Sequence, residues 1–297
     1  MCIAYFRFNP NQEVALFVAA NRDEFHSRPT AFADTWHDPD TIIAGRDLEA
    51  GGTWLGASRQ GGAALITNIR DPKFMNNTAK SRGGLVLNAL NHHATQPQNW
   101  FENSHLNHFL KAQGPLEKYN GFNLVFGDAK KLYYLNNYEI IKQAEQGNPI
   151  TSKKLHELTP GSYTLSNADL YTVWPKTKEL GKSLDIVDLS AIKNTDFSRL
   201  NSNLVSDFSD TIFNKLADTE KAPEHLLPDT GVGDDMEKLL SSPFIISSEY
   251  GTRCSSIILI FKDGSSFMAE RSFDIKGQPI QQVFFYQTNG TVISHNG

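Results

Sequence analysis

The chain opens on CIAYFRF, a run of β-formers, passes the turn signal NPNQ, and continues with EVALFVAA. Such a pair reads as a hairpin, residues 2–8 and 13–20. The second run is apolar almost throughout, as expected of a strand covered on both faces. After a loop of mixed charge come three more short apolar runs, TIIAG, GTWLGAS and GAALITNI, the last two turned by Arg59-Gln60-Gly61. Then the period changes. SRGGLVLNALNHHA (81–94) and NWFENSHLNHFLKA (99–112) carry apolar residues at helical spacing. FNLVFGDAKKLYYLNN reads as a hairpin turning at Gly127-Asp128, and GSYTLSN (161–167) as a strand with a polar end. WPKTKELGKSL starts a helix with Pro175 in its first turn. Residues 195–220 read as helix, and 221–235, with Pro223, Pro228, Gly231 and Gly233, as loop. Strands are expected near 244–248, 253–262, 265–273 and 279–288, with Asp263-Gly264 as a two-residue hairpin turn.

Strands dominate both ends and helices fill the middle, with no linker between. One α+β domain over 1–297, with antiparallel sheet and helices packed outside, is the expectation. Composition fits a globular chain: 39% hydrophobic, 21% charged, net charge −5. That balance argues against a nucleic-acid groove. No apolar run approaches the length of a membrane-spanning helix, so integral membrane contact is not expected. The N-terminus has no signal-peptide pattern, since Arg7 and Asn9-Pro10-Asn11 interrupt its apolar stretch. Two cysteines are too few for a disulfide framework, and a cytoplasmic location is the simplest expectation.

Cys2 is the first candidate for chemistry. Either it is a small buried hydrophobe starting a strand, or removal of Met1 exposes a thiol and a free α-amine on one residue, a nucleophile with its own base. Asn21-Arg22-Asp23-Glu24 ends the second strand of the same hairpin, so antiparallel pairing brings it near Cys2. Arg22 there would lower the thiol pKa, and a carboxylate would orient the α-ammonium. Asn68 and Asn167 end strands that asparagine suits poorly; turn formation is one reason, donation to an oxyanion another. Arg253 sits at the mouth of the apolar strand SSIILIF, placed to bind a carboxylate. Cys254 reads as a core residue. The glycine pairs fit no phosphate-binding pattern, and the histidines have no metal-ligand spacing, His105 and His108 included.

Taken together, MC at the start, NRDE, GGTWLG, LITN, SRG, YNGFNLVFGD, YTLSN, WPK, LPDTG and YGTR closely resemble the NRDE-domain family of transport-and-Golgi-organisation-like proteins, from Cys2 to about Arg271. The resemblance implies the N-terminal-nucleophile hydrolase fold, a four-layer αββα sandwich. The choloylglycine-hydrolase branch of that fold has an N-terminal Cys, an Arg–Asp pair after the first hairpin, two strand-end asparagines and a late arginine. Cys2, Arg22, Asp23, Asn68, Asn167 and Arg253 are the counterparts here, although that branch spaces its Arg and Asp three apart and Arg22 and Asp23 are adjacent. The implied activity is hydrolysis of a non-peptide C–N amide bond in a small amphipathic substrate, needing no cofactor. The alternative is a non-catalytic carrier of haem, lipid or acyl-CoA in the same pocket. Asn21, Glu24, Trp54 and Phe74 are expected to line that pocket in either case.

Overall fold

Strand β1 (Cys2–Phe8) pairs antiparallel with β2 (Val14–Phe25), Cys2 opposite Arg22 and Phe8 opposite Leu16. The computed structural model describes residues 2–36, 42–147, 155–192, 195–288 and 291–297. In chain order there follow β3 (Thr30–Thr35), β4 (Ile42–Asp47), β5 (Leu55–Ser58), β6 (Ala63–Asn68), α1 (Gly83–Thr95), α2 (Asn103–Ala112), β7 (Phe122–Gly127), β8 (Leu132–Asn136) and α3 (Tyr138–Glu145). Then come β9 (Leu155–Leu158), β10 (Gly161–Leu165), α4 (Pro175–Asp185), α5 (Asn203–Leu216), α6 (Asp234–Leu239), β11 (Tyr250–Phe261), β12 (Ser266–Phe273), β13 (Pro279–Thr288) and β14 (Thr291–Asn296).

Among the described residues the strands form two antiparallel sheets, ordered β10-β1-β2-β11-β12-β13-β14 and β3-β4-β5-β6-β7-β8-β9. Alternation along β1 and β2 decides what each face meets. Phe6, Leu16 and Val18 turn inward against Leu55, Leu65, Val125 and Leu132 of the second sheet. Ile3, Tyr5, Phe17 and Ala19 turn outward and are covered by Leu180 and Leu184 of α4 and by Ile212 and Phe213 of α5. Helices α1 and α2 cover the outer face of the second sheet, with Phe109 and Trp100 packed on Phe126. The layer order is therefore αββα. Each such side chain taken out of water contributes on the order of 2 kcal/mol, which is why both faces of β1 and β2 read as apolar.

Several elements depart from the sequence expectation. β2 continues to Phe25, beyond the expected strand end at residue 20, so all of NRDE lies within the strand. Residues 244–248 form no strand: both edges of β11 are taken, by β2 and by β12. The apolar run lies alongside as a strap, bonded through Ile245 to Thr252. The turn at Asp263-Gly264 is a three-residue loop closed by Phe261 N–H on the Ser265 carbonyl, with Gly264 at φ +86°. Elements β3, β9, β14, α3 and α6 were not anticipated. All are short, and β9 and β14 are largely exposed, so their apolar pattern is faint.

Candidate functional site

The two-residue period of β2 splits the NRDE run between opposite faces of its sheet. Arg22 and Glu24 project into a cleft of about 370 Å³, together with Cys2 from the neighbouring strand. Asn21 and Asp23 project toward the helices. Asn21 is buried there, its amide donating to the carbonyls of Leu216 (2.8 Å) and Pro243 (2.9 Å) while its oxygen accepts from Ser255. Expected to line the pocket, Asn21 instead ties the sheet to its helical cover. Asp23 is 1% exposed and accepts from the Thr252 hydroxyl at 2.7 Å.

Cys2 is partly buried, and its backbone is pinned from both sides. Arg22 pairs with it on one flank. On the other, the Ser166 hydroxyl donates to the Cys2 carbonyl at 3.0 Å. Burial pushes the thiol above its ordinary pKa; the chain's terminal ammonium, Arg22 and a hydrogen bond from the Asp23 N–H oppose that rise. The thiol therefore stays protonated at neutral pH unless a base takes its proton.

Around the thiol the cleft is highly charged. Arg22 lies 4.2 Å from the Trp54 ring centroid, donates to Thr30 (3.1 Å), and approaches Asp47 (3.6 Å) and Glu24 (4.0 Å). Arg28 pairs with Asp47 at 2.7 Å and Glu49 at 2.9 Å, and Asp47, despite its partial burial, is held below the usual carboxylate range by these contacts. The facing wall carries Lys80 and Arg82. Arg82 donates to the Gly121 carbonyl, and burial lowers its pKa against the opposing fields of Cys2 and Glu24. This wall comes so close because Gly52 has no side chain: a Cβ there would fall 2.5 Å from the Gly83 backbone.

The two asparagines have separate tasks. Asn68 ends β6 at the cleft, and its side-chain amide has no hydrogen-bond partner among the described residues. Asn167 is buried and does not face the cleft; its amide donates to the Asn68 carbonyl at 2.9 Å, and its oxygen accepts from Ser166. Asn167 thus clamps Asn68 and the Cys2 backbone into one unit. Arg253 is also outside the cleft. It occupies a bulge, since Thr252 pairs with Asp23 and Cys254 with Arg22, and it donates to the carbonyls of Phe25 (2.9 Å) and Arg28 (3.1 Å). Phe74 packs edge-on against Tyr138 and does not reach the cleft either. Cys254 is buried, as expected of a core residue, and its thiol is pushed well above the ordinary value by burial.

Sequence reasoning assigned no role to Arg82, Arg28, Asp47 or Lys176. The motifs SRG and WPK contain two of them, which was the available signal. Among the described residues no group of three or more His, Cys, Asp or Glu side chains is arranged to hold a metal, and no helix is long and apolar enough to cross a membrane. His105 and His108 lie near His92, with ring centroids 6.4 and 6.3 Å away.

Layers and site together define a class: an αββα sandwich whose second residue is a cysteine set in a charged cleft between the sheets. Residues 1–275 match the Transport and Golgi organisation 2 family, and the chain belongs to that family. It is 34% identical over 290 residues to the human Transport and Golgi organization protein 2 homolog, covering 92% of this chain and 93% of that one. The mouse homolog is 32% identical over 292 residues, with 92% and 93% covered. The Drosophila melanogaster protein is 33% identical over 135 residues, 42% of this chain and 45% of its own. Among solved structures, similarity extends to a Caenorhabditis elegans ortholog of N-acylethanolamine-hydrolyzing acid amidase (8% identity, TM-score 0.40, 87% of this chain and 92% of that one). It extends also to a mutant conjugated bile acid hydrolase from Clostridium perfringens (8%, 0.40, 100% and 92%). At that level the two likenesses add nothing to the layer order, which rests on the sheets themselves.

Proposed function

We propose that the chain is an N-terminal-cysteine hydrolase acting on a C–N amide bond of a small substrate, once Met1 is removed. The carrying observation is the placement of Cys2: it borders the cleft beside Arg22, Arg82 lines the same cleft, and the Cys2 backbone is clamped by Ser166. In this reading the α-amine of Cys2 takes the thiol proton as sulfur attacks the carbonyl carbon. The C–N bond then breaks, the amine returns the proton to the leaving nitrogen, and water hydrolyses the thioester. The Asn68 amide, free of other partners among the described residues, is the side-chain donor for the tetrahedral oxyanion. Asp23 orients the α-ammonium, and Asn167 acts by holding Asn68. Trp54 and Glu24 are the substrate-binding members of the expected set that border the cleft.

The carrier reading draws less support. Apolar lining is limited to Ala50, Trp54, Ile66 and Ala79 beside the thiol, a short trough for the body of a haem or lipid. The test is intact-mass spectrometry before and after an activated acyl amide. A chain lacking the Met1 mass, with one adduct on Cys2 that Cys2→Ala abolishes, is the expected result. Adducts that persist in Cys2→Ala, or a retained Met1 with an inert Cys2, would remove the mechanism.

A further inference from the structure

The charges of the cleft are unevenly matched. Of the carboxylates that line it, Glu24, Asp47 and Glu49 each lie within 4.0 Å of Arg22 or Arg28, while Asp23 is bonded to Thr252 on the other face of the sheet. Lys80 and Arg82, on the facing wall, have no carboxylate at ion-pair distance among the described residues. The Lys80 side chain is exposed to water, and its ammonium lies 5.6 Å from the Tyr119 ring centroid. Arg82 has neither outlet. It is partly buried at the start of α1, and its guanidinium bond is to a neutral group, Nη1 donating to the Gly121 carbonyl at 3.2 Å. That bond also places the guanidinium. The same carbonyl oxygen accepts the Ile69 N–H at 2.9 Å, so Arg82 sits beside the residue that follows Asn68. A guanidinium drawn partly out of water without a counter-charge is half of an ion pair.

We infer that Arg82 is an anion-binding residue: the substrate that Cys2 attacks carries a carboxylate, and the Arg82 guanidinium holds it on the Asn68 side of the cleft. This role deepens the hydrolase reading above and rests on it. Charge sets the ligand class. With Nη1 on the Gly121 carbonyl, the guanidinium still has N–H groups to offer, and its planar fork matches the two oxygens of a carboxylate. One positive charge answers one negative charge, whereas a phosphate dianion would stay half neutralised. Charge also sets the orientation. Around Arg28, the carboxylates of Glu24, Asp47 and Glu49 repel an anion, so the negative end of the substrate goes to the opposite wall. The cleft holds about 370 Å³, so the carboxylate and the scissile amide belong to one small molecule. Fixing that molecule by its carboxylate presents the amide to Cys2 and Asn68, which border the same cleft.

Iodoacetate and iodoacetamide form the test, because they alkylate the same thiol and differ in carrying a carboxylate or a neutral amide. The ratio of their rates at Cys2 cancels any change in thiol pKa. Cys254 is buried, and Cys2→Ala gives the background. In the whole wild-type chain the iodoacetate-to-iodoacetamide ratio should exceed that of a short peptide with the same N-terminal sequence. In Arg82→Gln it should fall about tenfold. Lys80→Gln should leave it unchanged, which separates a docked carboxylate from a general positive field. In the wild type, acetate should slow iodoacetamide at Cys2 where equimolar chloride does not, a reading that needs no variant to fold. A wild-type ratio no higher than that of the peptide, an Arg82→Gln ratio equal to wild type, an equal fall in Lys80→Gln, or no protection by acetate would overturn the carboxylate subsite, while a reactive Cys2 left the hydrolase reading standing. A Cys2 inert to both reagents would overturn that reading and the subsite with it.

Discussion

The Arg22 guanidinium is held by a ring, a hydroxyl and two carboxylates, and its charge bears on the Cys2 thiol. Arg22→Ala removes a cation that lowers the thiol pKa, so the pH midpoint of Cys2 alkylation should rise. An unchanged midpoint would show that the charge does not reach the sulfur. Asp23, next in sequence, carries the opposite kind of perturbation. Its folded pKa lies above its unfolded one, about 6 against 3.8, so the folded state holds the proton more tightly. Stability from this group is therefore full below about pH 4 and is lost as pH rises toward 6. Asp23→Asn lacks that penalty. Denaturant melts at pH 4 and pH 7 should show the variant gaining about 2 kcal/mol on wild type between them, while losing Cys2 acylation. A gap that stays constant with pH would place the unfolded and folded pKa values together.

At the scale of elements, Arg253 shows what a bulge does. One unpaired residue in β11 turns a side chain that strand alternation alone would place elsewhere, and that side chain gathers the carbonyls of the turn after β2. Arg253→Ala leaves those carbonyls to water. A loss of about 1–2 kcal/mol is expected, with faster amide exchange over residues 25–29 by mass spectrometry. Exchange that is unchanged there would mean the turn stands without it. The same element explains why NRDE was legible as a neighbour of Cys2 but not as a divided set. The hairpin pattern gives proximity, whereas the faces depend on how far β2 extends, and pairing of Asp23, Glu24 and Phe25 with β11 extends it.

For the whole molecule, the end opposite the cleft is closed where the β5–β6 turn meets the β11–β12 turn. Gly61 has φ +79°, and a Cβ there would lie 2.5 Å from the Gly264 carbonyl oxygen. Gly61→Ala combines left-handed strain with that clash across the two sheets, and should cost roughly 2 kcal/mol or more in a urea melt. Cys2 acylation of the folded variant should match wild type, since the cleft lies at the other end. A stability equal to wild type would show that the two turns part freely.

The strands of the core were readable because burial acts residue by residue: an apolar run such as VALFVAA has to be covered wherever it lies, and its period names the element. Cys2 beside Arg22 was readable for a related reason, since a short turn leaves a hairpin one simple pairing. Polar partners follow another rule. Asn167 finds the Asn68 carbonyl, Lys176 the Leu240 carbonyl and Arg253 the turn after β2 only because the sheet order β10-β1-β2-β11 joins distant parts of the chain. A hydrogen bond needs its partner within about 3 Å and in line, so local pattern supplies the residue type, and only the tertiary fold decides whether it reaches the cleft, as Asn68 does, or braces it from behind, as Asn167 does.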